Sequence, residues 1–337
     1  MPNGQPDVLN HARQFMASRV VLTACDLDLF TALEENPAPA HALAQSLQTE
    51  ERALTRILDC LVTLDYLSKD VSGRYQLTET GRILSVNHAQ SMLPMVLHLS
   101  HVWDNWHYLT KSVRLGENPH RHPMTDLGPQ EQKAFIGAMH VVGRELSTDI
   151  AAEYDASFAH RLLDIGGGSG VYTAAFLQAN PSLQAVIFDL EQVIPITREC
   201  IHTQSLEDRV QFTTGNFYTD PLPTGCDLAL LSAIIHQNSR EENRELFTKI
   251  RIALEPGGRL LIRDHIMDET RTKPAAGALF ALNMLVNTQG GDTYTLQEVS
   301  TDLQQAGFGH IRALRTGQDS FERMDCLVEA VKLGDGS

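Results

Sequence analysis

The stretch Leu162-Leu163-Asp164-Ile165-Gly166-Gly167-Gly168-Ser169-Gly170 runs a buried-type strand into a glycine-rich bend. Glycines without a Cβ let the backbone turn sharply and approach a ligand closely. The helix that follows, Val171 to Gln178, presents unpaired N–H groups that suit an anion or a carboxylate. Asp189 ends the next strand, Ala185 to Phe188, where an acidic side chain can take the two ribose hydroxyls of a nucleoside. Strand before, helix after and acid at the following strand end together point to a nucleoside-type cofactor; a purely structural turn is the rival. NAD fits less well, because the glycines fall as Gly166-x-Gly168-x-Gly170 and Val171 stands where a dinucleotide fingerprint wants a third Gly or Ala. No Lys-Ser/Thr ending follows, so a triphosphate-binding loop is excluded.

Outward from this stretch, strands and helices alternate. Val193 to Ile201 reads as a helix, Val210 to Thr213 and Leu228 to Ile235 as strands, and Glu241 to Leu254 as the next helix. Gly258 to Ile262 follows a Pro256-Gly257 turn as a further strand. A late helix, Leu296 to Ala306, precedes two strand-like runs near His310 to Leu314 and Cys326 to Val331. This order predicts an α/β fold, a parallel Rossmann-like sheet with helices on both faces.

The N-terminal part has a different rhythm. Leu9 to Leu33 carries apolar residues at helical spacing, and Ala40 to Leu47 forms a short helix after Pro37 and Pro39. Thr49 is expected to cap a third helix with the apolar series Leu54, Ile57, Leu58, Leu61 and Val62. Tyr66-Leu67-Ser68 and Tyr75-Gln76-Leu77 flank a Ser72-Gly73 turn as a hairpin. Helices followed by a hairpin are the order of a winged helix, which raises DNA binding as a reading. The would-be recognition helix and its flank carry Glu50, Glu51, Asp59 and Asp65 against Arg52 and Arg56, whereas a groove-reading helix should be basic. A dimerisation module is the preferred reading. Residues 1–105 are therefore expected to form a mostly helical winged-helix dimerisation domain, and residues 106–337 a cofactor-binding domain with a helical linker or lid. Trp103, Trp106 and Tyr108 read either as core or as a lid over an aromatic substrate. His120-Arg121-His122 lacks an acidic or Cys partner nearby and reads as a solvated loop, not a metal site.

The 337 residues carry 42% hydrophobic and 20% charged side chains, the balance of a globular chain with an adequate core. A formal charge of −15 argues against sustained binding to nucleic acid or to anionic membrane. No apolar run is long enough to span a bilayer, and no secretory signal is visible, so a cytoplasmic protein is expected. Cys25, Cys60, Cys200, Cys226 and Cys326 are scattered and odd in number, as reduced thiols would be.

The chain resembles the dimeric S-adenosylmethionine-dependent O-methyltransferases of the plant caffeate, bacterial polyketide and acetylserotonin type. The resemblance rests on Leu162 to Gly170, Phe188-Asp189-Leu190, Gly215-Asn216-Phe217, Glu255-Pro256-Gly257-Gly258-Arg259-Leu260, and Asn283-Met284-Leu285-Val286 followed by Gly290-Gly291. It covers nearly the whole chain. It implies S-adenosylmethionine as cofactor, a homodimer and a small-molecule acceptor. Asp164, Gly166 and Gly168 would line the cofactor loop, with Gly166 and Gly168 at the methionine end, and Asp189 and Leu190 would lie by the ribose. Asn216 and Phe217 would sit by the adenine, and Ser232 and Arg263 near the cofactor channel. The family usually has Asp at the position of Asn216; an Asn carbonyl can also accept a hydrogen bond.

His236 follows the strand Leu228 to Ile235 at the sheet edge where open α/β sheets bind ligands. In the family a His here, followed by Asp-Trp-Ser-Asp, is the general base; the run in this chain is His236-Gln237-Asn238-Ser239-Arg240. The resemblance makes Asp264 the first of two acids flanking the base. Thr293, which carries no charge, falls at the second, with Asp292 adjacent. His265 is an alternate proton acceptor, read chiefly as a surface residue at the strand exit. Met139 and His140 match a family position packing over the acceptor, and Asn283 and Met284 one on the opposing wall. Metal-independent methyl transfer to a hydroxylated aromatic or polyketide-like molecule is the expected activity. The altered residues keep a second enzymatic reading open: a relative that binds S-adenosylmethionine yet performs decarboxylation, hydroxylation or pericyclic chemistry.

Overall fold

The computed structural model describes residues 8–121, 128–315 and 324–334. The chain divides into two compact units at the Trp103/Asp104 junction.

In the first unit, α1 (Val8–Asp26), α2 (Leu29–Ala32), β1 (Ala38–Pro39), α3 (Ala40–Ser46) and α4 (Glu51–Thr63) lead into the hairpin β2 (Leu67–Lys69) and β3 (Arg74–Leu77). α5 (Glu79–Arg82) and α6 (Leu93–Trp106) follow, the latter running across the junction. Leu54, Leu58 and Leu61 are spaced to line one face of α4 and are buried with Leu29, Phe30 and Tyr75. The hairpin pairs Leu67 with Leu77. The two-residue β1, invisible to periodicity, adds a third strand beside β3. The expected Thr49 cap is corrected. Glu50 is the N-cap, its carboxylate accepting from the amides of Arg52 (3.0 Å) and Ala53 (2.7 Å), while Thr49 Oγ1 is buried without a partner among the described residues. A carboxylate there satisfies two orphan amides and complements the helix dipole.

The second unit opens with α7 (Leu109–Leu115) and α8 (Pro129–Glu153). Then come β4 (Arg161–Ile165), α9 (Val171–Ala179), β5 (Gln184–Asp189), α10 (Ile194–His202), β6 (Val210–Thr214) and β7 (Cys226–Ser232). The chain continues as α11 (Arg240–Ala253), β8 (Leu254–Asp264), β9 (Ile266–Met267), α12 (Ala275–Asn287), β10 (Tyr294–Thr295), α13 (Leu296–Gln305), β11 (Phe308–Arg315) and β12 (Cys326–Lys332). Among the described residues, seven strands form one sheet in the order β11-β12-β8-β7-β4-β5-β6. β4 to β8 are parallel, whereas β12 runs antiparallel to β8 and β11 antiparallel to β12. The sheet is Rossmann-like.

Strand alternation sends Leu163, Ile165, Val186, Phe188, Ala229, Leu231, Leu260 and Ile262 to a core closed by α11 and α13. Their neighbours Leu162, Ala185, Ile187, Leu228, Leu230 and Leu261 face a second core closed by α8 and α9. Burial on both faces explains why these strands read as continuous apolar runs. From β4 the chain winds outward through β5 and β6, then returns to the other side of β4 as β7 and β8. That reversal lies beside β4, and it is at the carboxyl ends of the strands flanking such a reversal that open α/β sheets bind ligands. No helix of the described residues is long and apolar enough to cross a membrane.

Candidate active site

The glycine-rich bend follows β4 directly. Asp164 is buried, its Oδ2 accepting from Thr173 Oγ1 of α9 at 2.6 Å. Burial pushes its carboxyl up to about 6, partly offset by the Thr173 hydrogen bond. Gly166 and Gly168 adopt left-handed backbone, φ 67° and 56°. A Cβ on Gly166 would meet Ile234 Cδ1 at 2.9 Å, with Phe217 Cε1 at 3.5 Å. A Cβ on Gly168 would meet nothing within 4 Å, so that part of the bend faces open space. Asp189 ends β5 beside the bend. Its Oδ2 accepts from the Gly168 amide (2.8 Å) and its Oδ1 from the Leu190 amide (2.7 Å). Burial raises the Asp189 carboxyl and those two amides counter it. Each carboxylate oxygen has a second lone pair, so both could still accept a hydroxyl.

Asn216 stands after β6. Its Oδ1 accepts from the Tyr218 amide at 2.9 Å, and its own amide donates to Asp220 Oδ2 at 2.8 Å. The neighbouring Phe217 ring is half-buried against the first core. Alternation along β8 separates Arg263 from Asp264. Arg263 turns to the α9 face, where it lies over the Tyr172 ring (4.9 Å) and donates to Ser232 Oγ (2.7 Å) and to the Met324 carbonyl (2.8 Å). Asp264 turns to the opposite face.

There it meets His236. β7 ends at Ser232, three residues earlier than expected, because Ala233 takes φ 58° and its amide donates to the Arg263 carbonyl. The chain then coils through a 3-10 turn, Ile235–Gln237, which carries His236 beside the end of β8. His236 Nδ1 lies 2.9 Å from Asp264 Oδ1 and 3.0 Å from Oδ2. Burial alone would raise the Asp264 carboxyl, but the charge and hydrogen bond of His236 outweigh it and hold it below the usual carboxylate range. The His236 carbonyl accepts from the Asp292 amide, which fixes the Gly290–Asp292 loop against the turn.

His265, read from sequence as a surface residue, is 5% exposed. The imidazoles of His236 and His265 lie 4.9 and 5.0 Å from the ring of Phe280, a residue of α12 that the sequence reading missed. Its signal was available, since Phe280 precedes Asn283-Met284 by one turn. Asn283 Oδ1 accepts from Trp106 Nε1 (2.8 Å) and from Asn287 Nδ2 (2.9 Å), and Asn105 Nδ2 donates to Asn287 Oδ1 (2.6 Å). Met284 is buried. Trp106 and Tyr108 are half-buried, neither core nor free. Met139 is half-buried on α8, and its neighbour His140 places Nδ1 3.1 Å from Ser169 Oγ in the glycine-rich bend. Thr293 is buried and donates to the Gly277 carbonyl at 3.2 Å, while Asp292 pairs with Arg271 at 3.3 Å. His122 lies outside the described residues; His120 stacks on Tyr108 at 4.4 Å.

The carboxyl ends of β4, β5, β7 and β8 thus hold a glycine-rich bend, a carboxylate that accepts from its amides, an imidazole and the acid it contacts. Residues 106–309 match the O-methyltransferase domain, and residues 9–87 the O-methyltransferase dimerisation domain. The chain belongs to the O-methyltransferase family. This methyltransferase is 31% identical to the tetracenomycin polyketide synthesis 8-O-methyl transferase TcmO of Streptomyces glaucescens, over 92% of its own length and 93% of that protein's. It is 29% identical to acetylserotonin O-methyltransferase of Gallus gallus, covering 92% and 94%. The structure of PigF with SAH superposes with a TM-score of 0.87 at 25% identity, across 97% and 99% of the two chains. The cofactor of this methyltransferase is S-adenosylmethionine. The open face at Gly168, the two free lone pairs of Asp189 and the apolar flank of Ile234 and Phe217 are chemically suited to its methionine, ribose and adenine parts.

Proposed function

We propose that this O-methyltransferase methylates a hydroxyl on an aromatic or polyketide-like small molecule, with His236 as general base and Asp264 as its orienting acid. The observation that carries the reading is the 2.9 Å contact between His236 Nδ1 and Asp264 in a buried setting. A carboxylate at Nδ1 holds the proton there and leaves Nε2 as the basic nitrogen. A phenol of pKa about 10 is mostly protonated at neutral pH, so a base at its oxygen raises the fraction able to attack. His236 takes the hydroxyl proton at Nε2, and Asp264 stabilises the imidazolium that results. Phe280, Met139, Asn283 and Met284 wall the acceptor, excluding water and setting the approach of its ring. Asp164, Gly166, Gly168, Asp189, Leu190, Asn216 and Phe217 hold the cofactor, with Ser232 and Arg263 supporting the strand ends beneath it. S-adenosylmethionine supplies the methyl group from its sulfonium.

Relatives named for polyketide and acetylserotonin acceptors support a small, ring-bearing acceptor rather than nucleic acid. The match to a dimerisation domain supports a homodimer, and the scattered cysteines, odd in number, support a reducing, cytoplasmic setting. Residues 1–105 then serve assembly and residues 106–337 catalysis. Nothing in the site favours a reaction without methyl transfer. The deciding experiment supplies the protein with S-adenosylmethionine and a panel of phenols, and measures S-adenosylhomocysteine against acceptor consumed. Equal amounts support the proposal; acceptor turnover with none released would end it.

A further inference from the structure

The turn that carries the proposed base is weakly held by its own backbone. The amides of Gln237 and Asn238 donate to the carbonyls of Ile234 and Ile235 at 3.1 and 3.4 Å, and the His236 amide reaches Asp264 Oδ2 at 3.4 Å. Both 3.4 Å contacts exceed the usual range for an N–H donor, so side chains must help to fix the turn. Asn238 is 0% exposed and bonded at both ends of its amide. Its Nδ2 donates to Asn243 Oδ1 at 3.0 Å, its Oδ1 accepts from the Tyr218 hydroxyl at 2.5 Å, and its carbonyl accepts from the Tyr294 hydroxyl. Asn243 in turn donates to the Ile235 carbonyl at 2.9 Å. A buried polar network satisfied in this way specifies one conformation.

Tyr218 belongs to the other side of the site. It follows Asn216 and Phe217 in the loop after β6, the proposed adenine side, and its ring centroid lies 4.6 Å from that of Phe217. Lys249 Nζ holds this loop, donating to the carbonyls of Phe217 (3.0 Å), Tyr218 (2.6 Å) and Asp220 (3.3 Å). β5 and β4 stand between β6 and β7 in the sheet, so no strand ladder joins the loop to the turn. The two meet at the glycine-rich bend, where a Cβ on Gly166 would find Ile234 at 2.9 Å and Phe217 at 3.5 Å. The Tyr218–Asn238 hydrogen bond closes that span. Asn238 stands where the resemblance expects Trp, whose indole donates and cannot accept, so a Trp would offer the Tyr218 hydroxyl no side-chain acceptor.

We propose that Asn238 and Tyr218 are positioning residues for His236. Their hydrogen bond carries the seating of the cofactor's adenine from the loop after β6 to the turn after β7, which tightens around the imidazole when the cofactor is in place. A loop ordered by adenine lowers the remaining freedom of the turn tied to it, which is a coupling between the two halves of the site. This rests on the proposed adenine side and on His236 as base, and deepens that reading.

The test is amide hydrogen exchange read by mass spectrometry on the full chain, with and without saturating S-adenosylhomocysteine, in the parent, Tyr218→Phe and Tyr294→Phe. Exchange across residues 162–170 should slow in all three proteins, the sign that the compound is bound. In the parent, residues 234–240 should also slow by about fivefold, the order set by one neutral hydrogen bond. Tyr218→Phe deletes a single oxygen and should cut that response to less than about twofold. Tyr294→Phe removes a hydroxyl from the same asparagine, but from β10, and should keep the full response. A merely structural loosening of the turn would affect both variants alike. Slowing at 162–170 with none at 234–240 in the parent, a full response in Tyr218→Phe, or an equal loss in Tyr294→Phe overturns the inference alone. Absence of slowing at 162–170 overturns it together with the cofactor site on which it rests.

Discussion

Asp264 Oδ1 stands 2.9 Å from His236 Nδ1, joining the end of β8 to the turn that follows β7 across a buried contact. Two groups 28 residues apart in the chain meet because β7 and β8 are parallel neighbours whose carboxyl ends coincide. An imidazole held this way has one tautomer and one orientation.

Replacing the imidazole tests the chemistry most directly. His236→Ala should lower turnover by about 10²–10⁴-fold, the usual yield of a general base, with S-adenosylmethionine affinity nearly unchanged. Asp264→Asn should lower it through the wrong tautomer while the fold persists. Steady-state rates with calorimetric cofactor binding check both; parental rates in His236→Ala would remove it from the reaction.

Asp189→Ala should act on the cofactor instead. It deletes the acceptor of the Gly168 and Leu190 amides as well as the proposed ribose ligand. Cofactor affinity should fall by about tenfold or more, since charge-assisted hydrogen bonds contribute roughly 1.5–3 kcal/mol each. Titration calorimetry reads the change, and an unaltered affinity would displace Asp189 from the ribose.

Asp164 predicts a pH dependence of stability. Its folded carboxyl is raised to about 6 against an ordinary value of 3.8, so between the two the folded state holds a proton that the unfolded chain has released. Stability from this group falls as pH rises between those two values, and the penalty is fully present above the upper one. At about 1.4 kcal/mol per unit the cost is on the order of 3 kcal/mol. Asp164→Asn keeps an oxygen for Thr173 and should flatten the decline, seen as a higher urea midpoint at neutral pH. A midpoint that stays level or falls would contradict the assignment.

Thr293 occupies the place where the resemblance expects a second acid. Its hydroxyl is bonded to the Gly277 carbonyl, so Thr293→Val should cost about 1 kcal/mol of stability. Turnover should change by less than about threefold, the mark of a packing residue. A loss near that of His236→Ala would give the hydroxyl a part in the reaction.

The Rossmann-like sheet, the glycine-rich bend, the acid at the end of β5 and the imidazole after β7 were legible in the residues alone. These are local signals: apolar runs of strand length, glycines at a strand-to-helix junction, and short motifs of fixed spacing. Where the signal was weak, local reading slipped. The two-residue β1 is too short to show a period, and Glu50 displaced Thr49 as a cap because both residues can accept amide protons. Which side chains meet was settled by the packing of the folded chain. Strand alternation sent Arg263 to Tyr172 and Asp264 to His236, although they are consecutive in the chain. It buried His265 beneath Phe280, brought Trp106 to Asn283, and set Thr293 against a backbone carbonyl. Such contacts depend on the register of neighbouring strands and the rotation of packed helices, quantities that no stretch of sequence encodes alone.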